Sequence, residues 1–303
     1  MQNSVDKNHL VDANHVRHSF NKAAKNYDLY SLLQQTVVER LMESFEHINV
    51  KPLSILDLGS GTGYGASLLK HQFKKAQIYQ TDLSEEMLKR ARKKTVRFLS
   101  KQRFLCADAN KIPLPDNSID LVFSNLMLQW CNDPDNVFAE IKRVLKPKGV
   151  FLFTSFGPDT LKELRASWQQ ADDGIHVNAF VDMHDIGDAL IRNGMDAPVL
   201  NVEQIILMYD DCKQLLRELK NIGAHNVNRG RRKTLTGKQR FENMIEHYDT
   251  FRAKSQKNKF PATYEVIYGH AWKPDRNKVK GETNTQSVSL EDLKRDLKRR
   301  KSS

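Results

Sequence analysis

From Ser54 to Ser155, short apolar runs alternate with stretches whose apolar residues recur at helical spacing. That is the pattern of a parallel sheet covered by helices on both faces. Strands are predicted at Ser54 to Leu58, Gln77 to Thr81, Arg103 to Ala107, Ile119 to Ser124 and Val150 to Thr154. Helix starts are marked by Ser84 with Glu85 and Glu86 behind it, and by Asp133 followed by Pro134 at a first helical position. Five βα units in roughly a hundred residues predict a doubly wound, Rossmann-like α/β fold. Upstream, Val11 to His47 reads as helix, with Leu32, Leu33, Val37, Val38, Leu41 and Met42 at helical spacing. Downstream come helical patterns at Thr160 to Gln170 and Asp185 to Asn193, a strand at Val199 to Met208, two more helical stretches, and a last strand at Thr263 to Tyr268. The late strands bring the mostly parallel sheet to seven and leave the extra helices free to cover a site. The expected organisation is a helical lid over 1–47, an α/β domain with helical insertions over 48–272, and a tail over 273–303.

Composition changes this picture little. The chain has 303 residues, of which 39% are apolar or aromatic, ordinary for a globular protein. No run approaches the roughly 18 to 20 apolar residues of a membrane helix, and the first seven residues have no apolar signal core, so a cytoplasmic location is expected. Cys106, Cys131 and Cys212 lack ligand spacing and the ten histidines do not cluster, so no metal site is expected. Of the net charge of +11, +5 belongs to residues 273–303, leaving a moderately basic body and a tail expected to be poorly ordered.

Chemistry enters at Asp57-Leu58-Gly59-Ser60-Gly61-Thr62-Gly63, which follows a strand and opens a helix. Glycines suit a sharp turn on which a ligand lies against the backbone. A dinucleotide fingerprint is G-x-G-x-x-G, whereas here the third glycine comes one residue early and Tyr64 follows. Asp82 ends the second strand, where a carboxylate can accept hydrogen bonds from both ribose hydroxyls. Asp108 ends the third, where it can accept from an adenine amino group.

Loop and acids together resemble the class I methyltransferases, in particular the type 11 family, over roughly residues 16–155. The resemblance implies S-adenosyl-L-methionine as co-substrate and gives roles to matching positions. Asp57 orders the loop and the methionine amino group, Gly59 and Gly61 flank the methionine moiety, and Asp82 holds the ribose. Met87 packs on the adenine, Asp108 and Ala109 read its edge, and Asn125 offers its backbone to the ammonium group. Ser60 and Leu83 lie with them. Leu145-Lys146-Pro147-Lys148-Gly149 is the family's turn before the fifth strand.

The fourth strand runs into Asn125-Leu126-Met127-Leu128-Gln129-Trp130, not the Asn/Asp-Pro-Pro-aromatic box of enzymes that methylate nucleic-acid amines, which argues against a nucleic-acid substrate. No acid or histidine follows at an obvious catalytic position; a carboxylate acceptor, already ionised, needs no general base. Phe20 to Asp28, Thr154 to Arg165, His176 to Asp185, Leu235 to Arg240 and Tyr264 to Trp272 resemble the malonyl-[acyl-carrier protein] O-methyltransferases of biotin synthesis. That narrower resemblance implies methylation of the free carboxyl of a malonyl thioester on an acidic carrier protein or on coenzyme A. Candidates to hold the carboxylate are Arg165, Lys162, Lys238 and Arg240, and Tyr27 is placed to close over the methionine end. Two alternatives share the cofactor domain: an arginine hydroxylase of the complex I assembly-factor type, and a non-catalytic S-adenosylmethionine-binding module.

Overall fold

The computed structural model describes residues 10–95, 101–224, 226–231, 234, 236–253 and 258–275. Seven strands form one sheet in the order β3-β2-β1-β4-β5-β7-β6. They are β1 (Ser54–Leu58), β2 (Gln77–Asp82), β3 (Gln102–Cys106), β4 (Ile119–Ser124), β5 (Leu145–Phe156), β6 (Asp196–Tyr209) and β7 (Phe260–Trp272). The pairings from β3 to β5 are parallel, and β7 runs antiparallel between β5 and β6. The expected seven-stranded, mostly parallel sheet is therefore present.

Side chains alternate across the central strands because successive residues point to opposite faces. Ile55, Leu121, Phe123, Val150 and Leu152 enter one core, while Leu56, Leu58, Val122, Phe151 and Phe153 enter the other. Helices α3 (Leu32–Glu43) and α4 (Tyr64–Gln72) cover the first face; α6 (Pro134–Val144) and α8 (Met183–Arg192) cover the second. Both faces are thus buried, as a parallel sheet requires. A third core gathers the ends of β5, β6 and β7 with α7 (Lys162–Ala171), α9 (Cys212–Asn221) and α10 (Lys238–Asp249).

Three expectations change. The helix read over residues 11–47 is three helices: α1 (Ala13–Ala23), α2 (Tyr27–Tyr30) and α3. Their junctions hold Asn26 and Ser31, short polar residues that compete with helical backbone bonds, and Gln35 Nε2 donates to Ser31 Oγ at 3.0 Å. Second, α5 (Glu85–Lys94) follows β2, but no helix joins β3 to β4 among the described residues. That link carries Asp108, Asn110, Pro113, Pro115 and Asn117, a composition that turns rather than propagates. Arg143 pins it by donating to the carbonyls of Ile112 (2.8 Å) and Leu114 (2.9 Å). Third, β5 begins at Leu145, and the turn over Lys146 to Gly149 loops out as a bulge between the pairs Ile119–Leu145 and Leu121–Val150.

The tail was expected from residue 273, yet Lys273 is buried. Its amide donates to Gly149 O (2.8 Å) and its Nζ to Asn117 Oδ1 (2.8 Å). Residues 276–303 lie outside the described residues.

Candidate active site

The carboxyl ends of β1, β2, β3 and β4 converge on a cavity roofed by α1 and α2, the place where open parallel sheets bind ligands. Gly59, Gly61, Asp82, Leu83, Met87, Asp108, Ala109 and Asn125 line it. A smaller pocket adjoins it, lined by Asp57, Ser60, Thr62 and Gln35; Tyr27, Gln34, Gly59, Gly61 and Asn125 belong to both.

The loop turns by left-handed backbone at Gly59 (φ 78°), Gly61 (φ 55°) and Gly63 (φ 83°), which L side chains rarely adopt. The amides of Gly59 and Ser60 donate to Thr81 O at 2.8 and 2.9 Å, fixing the loop to the end of β2. A Cβ at Gly59 would overlap the Met127 side chain, whereas one at Gly61 would meet nothing within 4 Å. The open space at Gly61 is the cradle in which a ligand can touch backbone.

Asp82 accepts from Gly61 N (2.9 Å) through Oδ2 and from Ser84 N (2.7 Å) through Oδ1, leaving each oxygen a further lone pair. Burial pushes its pKa up to about 6 against these two bonds. Asp57 is 3% exposed, and its Oδ2 has no partner. Burial first, then the Asp82 charge, raises it to about 7. Tyr27 is likewise shifted up by burial and by the Asp82 and Asp28 charges, so its hydroxyl keeps its proton. Ser60 Oγ and the Oε1 atoms of Gln34 and Gln129 are also buried without a partner. A wall of unused acceptors beside two carboxylates lacking a cation suits a positively charged ligand rich in donors. S-adenosylmethionine, with its ammonium, sulfonium, ribose hydroxyls and adenine amine, has that character.

Asp108 is exposed and shares Oδ1 between the amide and side chain of Asn110, both at 2.8 Å. Met87, capped through Ser84 Oγ, is 1% exposed and forms the apolar floor beside it. This roof is latched: Asn21 Oδ1 accepts from Ser84 Oγ (2.7 Å), and Asp28 accepts from Thr62 Oγ1 (2.5 Å) and pairs with Lys94 (2.7 Å).

The four candidate cations do not reach this cavity. Arg165 donates to the carbonyls of Pro158 and Thr160, both at 2.9 Å, which holds its fork against a turn. Lys162 pairs with Asp159 (2.9 Å), Lys238 with Glu242 (3.6 Å), and Arg240 sits half-buried on α10. Among the described residues that line the cavity, none is Lys or Arg.

Several lining residues escaped the sequence reading: Ala13, Val16 and Phe20 on α1, Gln34 on α3, Gln129, Trp130, Phe156, Ile222 and Ala224. Phe20 meets Trp130 edge-on at 5.2 Å, closing an apolar wall. For Gln34 a signal existed, since a polar residue stands on the stripe that Val38 and Leu41 continue into the core. Among the described residues no His, Cys, Asp or Glu group is placed to hold a metal, and no helix is long and apolar enough to cross a membrane.

Comparison with known proteins agrees with this geometry. Residues 56–153 match the family described as "Methyltransferase domain". The fold is similar to the YcgJ protein of Bacillus subtilis (TM-score 0.57, 18% identity, 78% of this chain and 99% of that one). It is also similar to a putative methyltransferase of Bacillus halodurans (TM-score 0.55, 17% identity, 79% and 99%). Over 271 residues the chain is 46% identical to the malonyl-[acyl-carrier protein] O-methyltransferase of Methylovorus sp., covering 88% of this chain and 90% of that protein. The same enzyme of Laribacter hongkongensis is 45% identical over 87% and 90%. With the glycine loop, the strand-tip acids and this chain-long identity in place, the protein belongs to the malonyl-[acyl-carrier protein] O-methyltransferase family.

Proposed function

We propose that this chain transfers the methyl group of S-adenosylmethionine to the free carboxylate of a malonyl thioester on acyl-carrier protein, making the methyl-ester primer for the pimeloyl chain of biotin. Identity to enzymes of that name across nearly nine-tenths of the chain carries the reading of the acceptor. The buried, cation-less pair Asp57 and Asp82 supports the co-substrate.

The co-substrate supplies an electrophilic methyl on a sulfonium: a carboxylate oxygen forms the new C–O bond with its own electron pair as the S–CH3 bond breaks, and S-adenosylhomocysteine leaves. The residues of this chain bind, orient and exclude water. Asp82 takes the ribose hydroxyls on its free lone pairs, Met87 and Leu83 flank the adenine, and Asp108 with Ala109 meets its edge. Asp57 and Ser60 face the amino-acid end. No residue has to remove a proton, because the acceptor is ionised at neutral pH. Phe20, Val16, Trp130, Leu126 and Phe156 strip water from that carboxylate, which strengthens its attraction to the sulfonium. The transfer neutralises both partners at once, the carboxylate becoming an ester and the sulfonium a thioether, so the attraction that brought them together is absent between the products.

The test is incubation with methyl-labelled S-adenosylmethionine and, separately, malonyl-carrier protein, malonyl-coenzyme A and an arginine peptide. Base-labile label on the malonyl thioester is the expected result. Absence of label from both malonyl compounds, or oxygen appearing in the peptide arginine, overturns the proposal.

A further inference from the structure

We infer that Gln34 binds the amino-acid end of the co-substrate and thereby ties the lid to the sheet; this rests on the co-substrate reading above. Gln34 lies on α3 and lines both the main cavity and the adjoining pocket, together with Tyr27, Gly59, Gly61 and Asn125. Its place along the ligand follows from the strand order β3-β2-β1-β4. With adenine beside Asp108 and Met87 and ribose at Asp82 on β2, the rest of the molecule extends past Gly59 in the loop after β1 towards Asn125 at the tip of β4. Gln34 stands there.

Its backbone is held in place. Asn125 Nδ2 donates to Gln34 O at 3.1 Å, and Asn125 Oδ1 accepts from Thr154 Oγ1 at 2.7 Å. Its side chain, by contrast, is unemployed: Oε1 is buried with no partner, beside Asp57 Oδ2 and Ser60 Oγ in the same condition. Native interiors rarely leave such acceptors unmatched, and here three of them line one pocket. The end of the co-substrate that reaches this point carries an ammonium group, which donates, and a carboxylate, which accepts. A primary amide offers one acceptor and two donors, so it answers both groups without adding charge. A lysine or arginine here would answer the carboxylate but repel the ammonium.

The experiment compares two ligands by calorimetry on the full chain. S-adenosylhomocysteine has the amino-acid end; 5′-methylthioadenosine keeps adenine, ribose and sulfur but lacks it. Gln34→Met, similar in length and without hydrogen-bonding groups, is expected to weaken S-adenosylhomocysteine about tenfold while changing 5′-methylthioadenosine less than about twofold. Equal losses for both ligands would show that Gln34 acts through lid packing, and no loss for either would show that it touches neither; each overturns the inference. If the unaltered protein binds neither ligand, the co-substrate reading fails first. Gln34→Glu provides a second arm: it keeps an acceptor for the ammonium, faces the carboxylate with like charge, and is expected to lose affinity for S-adenosylhomocysteine alone.

Discussion

Asp57 and Glu163 are both acids taken almost wholly out of water, at 3% and 6% exposure, and they are treated in opposite ways. Glu163, on α7, has both oxygens engaged: Oε2 accepts from Thr263 N at 3.1 Å and Oε1 from the Thr263 hydroxyl. Asp57, at the end of β1, keeps an oxygen with no protein partner and lies beside a second raised carboxylate. The same division holds for their surroundings. Beside β7, Gly157 N donates to Glu265 O (2.9 Å), Asp159 N to Glu265 Oε2 (2.6 Å) and Leu161 N to Thr263 O (2.7 Å). At the parallel tips, Ser60, Gln34 and Gln129 wait with unused oxygens. Of these two acids, the satisfied one builds scaffold and the one left open lines the binding pocket.

The sharpest way to break this contrast is Glu163→Ala. It strands the Thr263 amide and hydroxyl inside the protein and should cost about 2–4 kcal/mol of stability in urea unfolding. Affinity of the folded protein for S-adenosylhomocysteine should stay within about twofold; a parallel collapse of affinity would erase the distinction. In the other region Gly59→Ala combines left-handed backbone with overlap on Met127, and should reduce that affinity roughly a hundredfold by calorimetry. If Asp82 holds the ribose as proposed, Asp82→Ala should weaken binding by about 1–3 kcal/mol through lost charge-assisted bonds; unchanged affinity would mean the ribose lies elsewhere.

A pH titration then sharpens the same point. Asp57 near 7 and Asp82 near 6 stand above the ordinary carboxylate value of 3.8, so the free protein holds protons that the unfolded chain has released. Their contribution to stability is therefore fully present below about pH 4 and is lost as pH rises through 6 and 7. A cationic ligand favours the ionised pair, so its affinity should rise across that window with net proton release, visible as buffer-dependent binding heats. Asp57→Asn should flatten the upper part of that rise. The smallest effect is expected from Lys238→Ala: 88% of that side chain is exposed, and the KM for malonyl thioester should not change measurably.

The strands, and the acids Asp57, Asp82 and Asp108 that line the cavity and its adjoining pocket, were readable because their signals are local. Two-residue alternation, glycines at a turn and an acid at a strand end each need no knowledge of the rest of the chain. The segments Thr154 to Arg165 and Tyr264 to Trp272 carried the narrower resemblance equally well, but in space they meet chiefly each other, and Phe156 alone of their residues lines the cavity. Gly157 abuts Glu265, and Gly269 leaves room for the Phe153 ring. Arg165 looked like a free cation because its partners are backbone carbonyls, which no side-chain pattern reveals. Gln34 was hidden for the converse reason: one polar residue on an apolar stripe reads as a tolerated exception until the sheet is seen beneath it.

The first described residues of the lid are stitched to a distant part of the chain. Arg229 N donates to Leu10 O (2.8 Å) and Asp12 N to Val227 O (3.1 Å), while Val11 exchanges two bonds with the Asn132 side chain (2.7 and 2.8 Å). During synthesis the amino-terminal segment leaves the ribosome long before its seam at residues 227–229 exists. The glycine loop, the strand tips and the latches at Thr62, Ser84 and Lys94 can assemble earlier, but the seam along the first residues of the roof closes only after residue 229 has emerged. A nascent chain shorter than this therefore carries the cup with one edge of its roof unstitched.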